Sequence, residues 1–342
     1  MNPTSLVKCA CALVALAICS ACGGGSAVAP SATALNGTYV GRTLFINGRP
    51  VTAARMSMGP LPHYATILPD RRRRHKKFEY IFNIYGSFAS IFDYPKSVQQ
   101  FGEIAGDGGQ GCTNVLYGYG KKFFWNVGGQ TQITEYEVPQ TPIKTLSVTF
   151  SFPTSCAMNT SGDLAVGVFF ESSAGGGDVV IFKNASGSGT TGTVYTTPLV
   201  GEYFDGYDNQ GNLFADGFTS GSSFGLVELP KGSSTFKTIT TSNSVQFPGS
   251  VQWDGTYLTV FDQLASVTYR YIVHGSTATL KDTVSYSGVG DCAQTWIVKG
   301  LVYCGDADNG DGEVFKYPAG GPAIAVLGSG LPEPLGVTAA KR

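Results

Sequence analysis

From residue 78 to the C-terminus, short runs of aromatic and β-branched residues alternate with clusters of Gly, Pro, Asn, Asp and Ser. Runs this short, bounded by turn residues and without a 3.6-residue period, predict strands rather than helices. Apolar strands begin at Tyr80, Phe123, Leu164, Leu213, Tyr257 and Leu301, in steps of 43, 41, 49, 44 and 44 residues. A second marker, a strand ending in an aromatic residue or Leu, falls at Tyr94, Tyr136, Phe182, Leu229, Tyr271 and Tyr317, in steps of 42, 46, 47, 42 and 46. Two independent markers therefore count six copies of a unit of about 44 residues, the length of a four-stranded propeller blade.

A third element lies between them: a Pro or Gly entry, an inner strand, then a turn. It reads Pro153-Thr154-Ser155-Cys156-Ala157-Met158-Asn159-Thr160-Ser161-Gly162-Asp163-Leu164, and again Phe204-Asp205-Gly206-Tyr207-Asp208-Asn209-Gln210-Gly211-Asn212-Leu213. A shorter form runs from Pro248 to Tyr257. Asn159, Asp208 and Asp254 recur at the turn, where a side-chain oxygen can cap the following amides. This wording resembles the repeats of NHL and YncE-like propellers. The resemblance implies an all-β, six-bladed β-propeller over residues 78–342. The first copy begins at its second strand, and the tail Pro334-Leu335-Gly336-Val337-Thr338-Ala339-Ala340 has the form of an inner strand. The tail is expected to pair with the segment Tyr80–Tyr85 and close the ring, because an open ring leaves unpaired edges.

The N-terminus reads as an address. Lys8 precedes the apolar run Cys9–Ile18, which is short for a bilayer span and suits a signal peptide. Cys19-Ser20-Ala21-Cys22-Gly23-Gly24-Gly25-Ser26 then resembles a bacterial lipobox, with Cys19 where that pattern prefers Leu. The resemblance implies a lipoprotein signal peptide over 1–21, lipidation of Cys22 and a membrane anchor, placing the chain outside the cytoplasm on the cell envelope. Gly23 is not the Asp that holds such proteins at an inner membrane, so an outer membrane is expected where the source has two. A plain secretory signal is the alternative.

Composition changes the picture in one respect. Charged residues are only 14% of the chain and the net charge is −1, but the charge is divided. Residues 22–77 hold nine Lys/Arg against one acid, Asp70, a net of +8, while residues 78–342 are acidic by 10. The anchored segment 22–77 is thus a basic arm, with one possible hairpin of Tyr39–Ile46 and Arg49–Ala53 about Asn47-Gly48. Its run Arg71-Arg72-Arg73-Arg74-His75-Lys76-Lys77 either meets an anionic surface or lies solvated against the acidic body. Nucleic acid is not expected as a partner of an exported chain with an acidic domain.

Without the signal peptide and Cys22, four cysteines remain. Cys112 and Cys156 fall in adjacent units, and Cys292 and Cys304 in the last one. Pairing Cys112–Cys156 and Cys292–Cys304 is expected in an exported protein, with free buried thiols as the alternative. No CxxC spacing occurs among these four, and His274 is the one His after residue 77, so no metal or other cofactor is expected. Asp306-Ala307-Asp308-Asn309-Gly310-Asp311-Gly312-Glu313 has the oxygens of a calcium loop in the wrong register, leaving Ca²⁺ as the weaker reading. Gly221-Ser222-Ser223-Phe224-Gly225 matches G-x-S-x-G but falls in a strand-to-strand turn, where a nucleophile elbow does not form.

The repeat places Asp107, Glu202, Tyr203, Asp205, Asp262, Asp291 and Asp306 near the channel mouth, with Gln294 and Trp296 on the last inner strand. Acids beside aromatics suit a cation, a glycan or a basic peptide. No catalytic set assembles in the sequence. The reading is a monomeric, envelope-displayed, non-catalytic binding or scaffold propeller, taking a protein, peptide or glycan at its mouth. The alternatives are a metal-dependent lactonase- or lyase-like enzyme and a carbohydrate-binding propeller without turnover.

Overall fold

The computed structural model describes residues 43–46, 49–52, 79–85, 88–105, 111–113, 122–126, 132–137, 141–148, 153–168, 177–220, 223–331 and 334–341. Among these, every regular element is a strand. The chain divides into two compact units, Met1–His63 and Tyr64–Arg342. In the first, β1 (Thr43–Ile46) and β2 (Arg49–Thr52) pair antiparallel, with Ile46 opposite Arg49.

The second unit is a six-bladed propeller. Blade 1 contains β3 (Glu79–Tyr85), β4 (Phe88–Tyr94) and β5 (Gln100–Ala105). Blade 2 runs β6 (Gly111–Thr113), β7 (Lys122–Asn126), β8 (Gln132–Glu137) and β9 (Thr141–Ser147). Blade 3 runs β10 (Pro153–Met158), β11 (Leu164–Val168), β12 (Asp178–Phe182) and β13 (Gly192–Thr196). Blade 4 runs β14 (Gly201–Tyr207), β15 (Leu213–Phe218), β16 (Phe224–Leu229) and β17 (Lys237–Thr241). Blade 5 runs β18 (Val251–Trp253), β19 (Leu258–Asp262), β20 (Val267–His274) and β21 (Thr277–Ser287). Blade 6 takes β22 (Cys292–Val298), β23 (Leu301–Asp306), β24 (Asp311–Lys316) and, after the short β25 (Gly321–Pro322), β26 (Ala325–Leu327). The final strand, β27 (Gly336–Lys341), returns to blade 1 and pairs antiparallel with β3 from Gly336↔Ile84 to Lys341↔Glu79. The C-terminal segment thus supplies the inner strand of the blade that the N-terminal side begins.

The second and third strands of blades 3 and 4 are buried almost throughout, as strands sandwiched between neighbouring blades must be. The outermost strands are half exposed. Two parallel pairings cover two of these edges: β17 joins β21 at Thr240↔Thr277, and β21 also joins the short β25 at Tyr286↔Gly321. Asn159, Asp208 and Asp254 each accept backbone amides from residues two to four ahead, forming the capped turns that the repeat predicts.

Three inner strands carry a β-bulge at the same end: between Pro153 and Ser155, between Glu202 and Phe204, and between Cys292 and Thr295. A bulge shifts the side-chain alternation by one residue, so residues three apart come to share a face. It thereby decides which side chains reach the axis.

Blades also meet very closely. A Cβ on Gly206 of β14 would overlap the carbonyl oxygen of Val251 on β18. Backbone cannot retreat as a flexible side chain does, so Gly206→Ala forces the seam between blades 4 and 5 apart. The expected cost is about 2 kcal/mol or more, read as a lowered urea midpoint with an unchanged slope. A midpoint equal to that of the parent protein would refute this contact.

Candidate functional site

The inner strands surround the axis, and the joints between blades among the described residues differ from one to the next. Blades 2 and 3 are linked by the disulfide Cys112–Cys156, with Cα atoms 5.7 Å apart. Blades 3 and 4 meet through Ser155, described below. Asp216 joins blades 4 and 5, accepting the amide of Phe204 at 3.2 Å and that of Gly249 at 3.1 Å. Between blades 5 and 6, Gln252 exchanges two hydrogen bonds with the backbone of Ile297, at 2.9 and 2.8 Å, and the Thr295 amide donates to Ser250 Oγ at 2.6 Å. Gln294 joins blade 6 to two others: its Oε1 accepts the amides of Val337 (2.9 Å) and Gly111 (3.1 Å), and its Nε2 donates to the Gly111 carbonyl at 2.7 Å. The second disulfide, Cys292–Cys304, lies within blade 6 between β22 and β23.

Among the described residues, Ser155, Asp205, Ser250, Gln252, Thr295 and Trp296, among others, line a cavity of about 20 Å³ at these joints. That volume admits a water or a lone ion, not a sugar ring or a peptide. The Trp296 indole belongs to the apolar core, and its Nε1 is buried without a hydrogen-bond partner.

Strict alternation along β14 would set Glu202 and Asp205 on opposite faces. The bulge at Tyr203 instead brings both to the seam with β10. Glu202 is wholly buried and Asp205 is 5% exposed. Ser155 Oγ lies 3.2 Å from Glu202 Oε1 and 3.1 Å from Asp205 Oδ2, and Thr154 Oγ1 donates to Glu202 Oε2 at 3.0 Å. Burial, reinforced by the charge of Asp205, raises the Glu202 carboxyl well above its ordinary range. Burial also raises Asp205, to about 7, although hydrogen bonds from Ser155 and Glu202 and the nearby Gly167 amide act the other way. Asp216 is raised by burial against the two amides that hold it.

Asp262 and Asp306, expected on the mouth as ligand groups, are both fully buried and committed to backbone amides. Asp262 holds Gln246, Leu264 and Ala265, and Asp306 holds Gly290, Asp291, Asp308 and Asn309. In each case one amide lies 16 residues back and two lie two and three residues ahead, so the two aspartates are equivalent clasps. Each fastens the loop entering its own blade.

Gln294 and Trp296 likewise serve the channel wall. Tyr203 is half-buried, edge-on to Phe204 (5.1 Å), Phe247 (6.0 Å) and Phe218 (6.1 Å). It and the partly exposed Asp291 are the expected mouth residues that remain accessible. Asp107 and the lipidation residue Cys22 lie outside the described residues.

The calcium-like run takes another form. Glu313 is 5% exposed, hydrogen-bonds Asp306 and is pushed to about 8 by burial and by the charges of Asp306 and Asp311. Among the described residues no group of three His, Cys, Asp or Glu side chains is arranged to hold a metal ion.

Sequence reasoning did not single out Ser155, Asp216, Ser250 or Gln252. Their roles depend on the close approach of neighbouring blades and on bulge positions, which no local pattern records. The repeat of Asp at the end of β19 and β23 was the one available signal for the clasps.

No family model matches this chain, and no curated protein matches it in sequence. Solved structures do match in fold. A chain in the crystal structure of a nidogen/laminin complex aligns at 12% identity with a TM-score of 0.55, covering 77% of this chain and 98% of that one. A functionally unknown protein from Desulfotomaculum acetoxidans aligns at 9% identity with a TM-score of 0.52, covering 76% and 98%. A putative 6-phosphogluconolactonase from Bacteroides uniformis aligns at 11% identity with a TM-score of 0.46, covering 77% and 84%. The first two likenesses fit the fold seen here, an all-β propeller.

Proposed function

We propose that this chain is an exported, lipid-anchored propeller that binds a protein, peptide or glycan on its channel-mouth face without turning it over. The observation carrying this reading is the commitment of Ser155, Gln252 and Gln294 to joining blades: the cavity they line, about 20 Å³, is too small for a sugar ring or a peptide. Recognition then falls to the surface around Tyr203 and Asp291. The two disulfides favour an oxidising, extracytoplasmic setting. The lipobox-like Cys22 supplies the anchor in this reading, and the basic run at 71–77 a second contact with an anionic envelope surface.

The test is site-directed photocrosslinking in the native host. A crosslinker at Tyr203 is expected to capture a discrete partner. One at Gln210, exposed in the turn at the other end of β14, is expected to capture none. Equal capture at both positions would remove the mouth as the binding face. The competing reading is an enzyme that uses Asp205, whose near-neutral carboxyl in the channel wall is the kind of group acid–base chemistry requires. Lactone turnover by purified protein, lost in Asp205→Asn, would favour that reading, and stoichiometric bound metal would favour its metal-dependent form.

A further inference from the structure

We infer that the seam between blades 3 and 4 is a proton-binding site: Glu202 and Asp205 hold one proton between them through the Ser155 hydroxyl, and its loss loosens the seam. The inference is independent of the proposed ligand and follows from counting protons. Ser155 has one hydroxyl hydrogen and stands within hydrogen-bond distance of two carboxyl oxygens. Were both carboxyls ionised, one contact would be an oxygen–oxygen repulsion in a buried site. With a proton on Glu202, the contacts become donor–acceptor pairs.

Among the described residues no cation substitutes for that proton. None of the five ion pairs among the described residues includes Glu202, Asp205 or Asp216. β10 brings only the hydroxyls of Thr154 and Ser155 to the pair, and β11 brings Gly167. A Cβ at Gly167 would overlap both Glu202 Oε2 and Ser155 Oγ, so the packing reserves this space for the carboxyl. β14 adds Tyr207, itself raised by burial and by the charges of Asp205 and Asp163. β15 adds Asp216, which feels Asp262 in turn. Asp178, at the start of β12 beside Gly177, is the other buried acid on these elements. Every charged neighbour named here is negative and favours retention of the proton. Asp205 Oδ1 is buried without a well-formed hydrogen bond, so a second charge here would have little compensation.

The raised folded-state values set the sign. Above the acidic range where an unfolded carboxyl ionises, the folded protein retains a proton the unfolded chain has released. Stability therefore falls as pH rises, the folding constant dropping about tenfold per pH unit for each retained proton. The test compares wild type with Glu202→Gln, whose amide can donate as the protonated acid does. Infrared spectra of both folded proteins near neutral pH should show the protonated-carboxyl stretch weaker in E202Q, and E202Q should show a shallower loss of urea stability from acid to neutral pH. Glu313→Gln and Asp216→Asn, which remove the raised carboxyls outside the Ser155 contacts, should each leave the seam's contribution in place. An unchanged carboxyl band in E202Q, or a band abolished by E313Q alone, would overturn the assignment. Should E202Q fail to fold, Asp205→Asn gives the same two readouts. Should neither fold, the E313Q and D216N spectra decide: a band abolished in either variant places the proton outside the seam, and one that survives in both places it there.

Discussion

Removal of residues 334–341 is expected to cost the propeller its cooperative fold near physiological temperature. The segment supplies β27, six residues in continuous register with β3. Val337 and Ala339 are fully buried in the cluster that includes Trp296, Tyr303 and Cys156. The cut also exposes the inner edge of β3 and removes the Leu335 carbonyl and Val337 amide that hold Gln294. Burial of those side chains and the strand pairing together are worth about 5 kcal/mol or more. Total domain stabilities are about 5–15 kcal/mol, so the loss is comparable to the whole. The measurement is thermal unfolding by circular dichroism, with the truncated chain expected to lack a sharp transition or to melt at least about 10 °C lower. A truncated chain melting at the parent temperature would show that blade 1 does not need its returning strand.

Gln294→Leu is the single substitution with the largest expected effect. Leu is close to Gln in size, so no large cavity opens, but the Gly111 amide and carbonyl and the Val337 amide lose their partners in a buried place. At about 1–3 kcal/mol for each orphaned group, the cost is on the order of 4 kcal/mol. Gln294→Glu separates hydrogen bonding from size. An ionised Glu still accepts from the two amides but faces the Gly111 carbonyl with a negative oxygen; a protonated one can donate there. Its folded-state value is expected to be raised, so Q294E should recover more stability as pH falls than Q294L, which keeps only the dependence that the blade 3–4 seam gives both. Urea unfolding at acid and neutral pH reads both. Equal pH dependence in the two variants would mean that the Gly111 carbonyl is not the partner that matters.

The blade count and ring closure were legible because a repeat leaves the same strand and turn chemistry six times over. Tyr94, Tyr136, Phe182, Leu229, Tyr271 and Tyr317 mark a unit whose period needs no tertiary information. Cys112–Cys156 was legible for a related reason, since equivalent repeat positions lie at equivalent heights around the axis, and Cys292–Cys304 because its two strands are neighbours in one blade. The site was less so. Period-two reasoning separates Glu202 from Asp205, and only the bulge at Tyr203 unites them. Asp262 and Asp306 have the composition of a ligand-binding rim, but their exposure depends on a loop 16 residues earlier folding back to donate amides. Ser155 and Gln252 look like ordinary polar residues until the neighbouring blade supplies what they bind.

The variety of the joints around the axis limits how this ring can have changed. A disulfide, a shared proton, an aspartate, a pair of glutamine–backbone exchanges and one long-reaching amide each occupy a single position. The six units therefore repeat as a scaffold but are not interchangeable parts: moving any one to another place would match it with the wrong neighbour. Rearrangement by shuffling or duplication would require at least two joints to change together, so this architecture is freer to diversify through its outer strands than through its order.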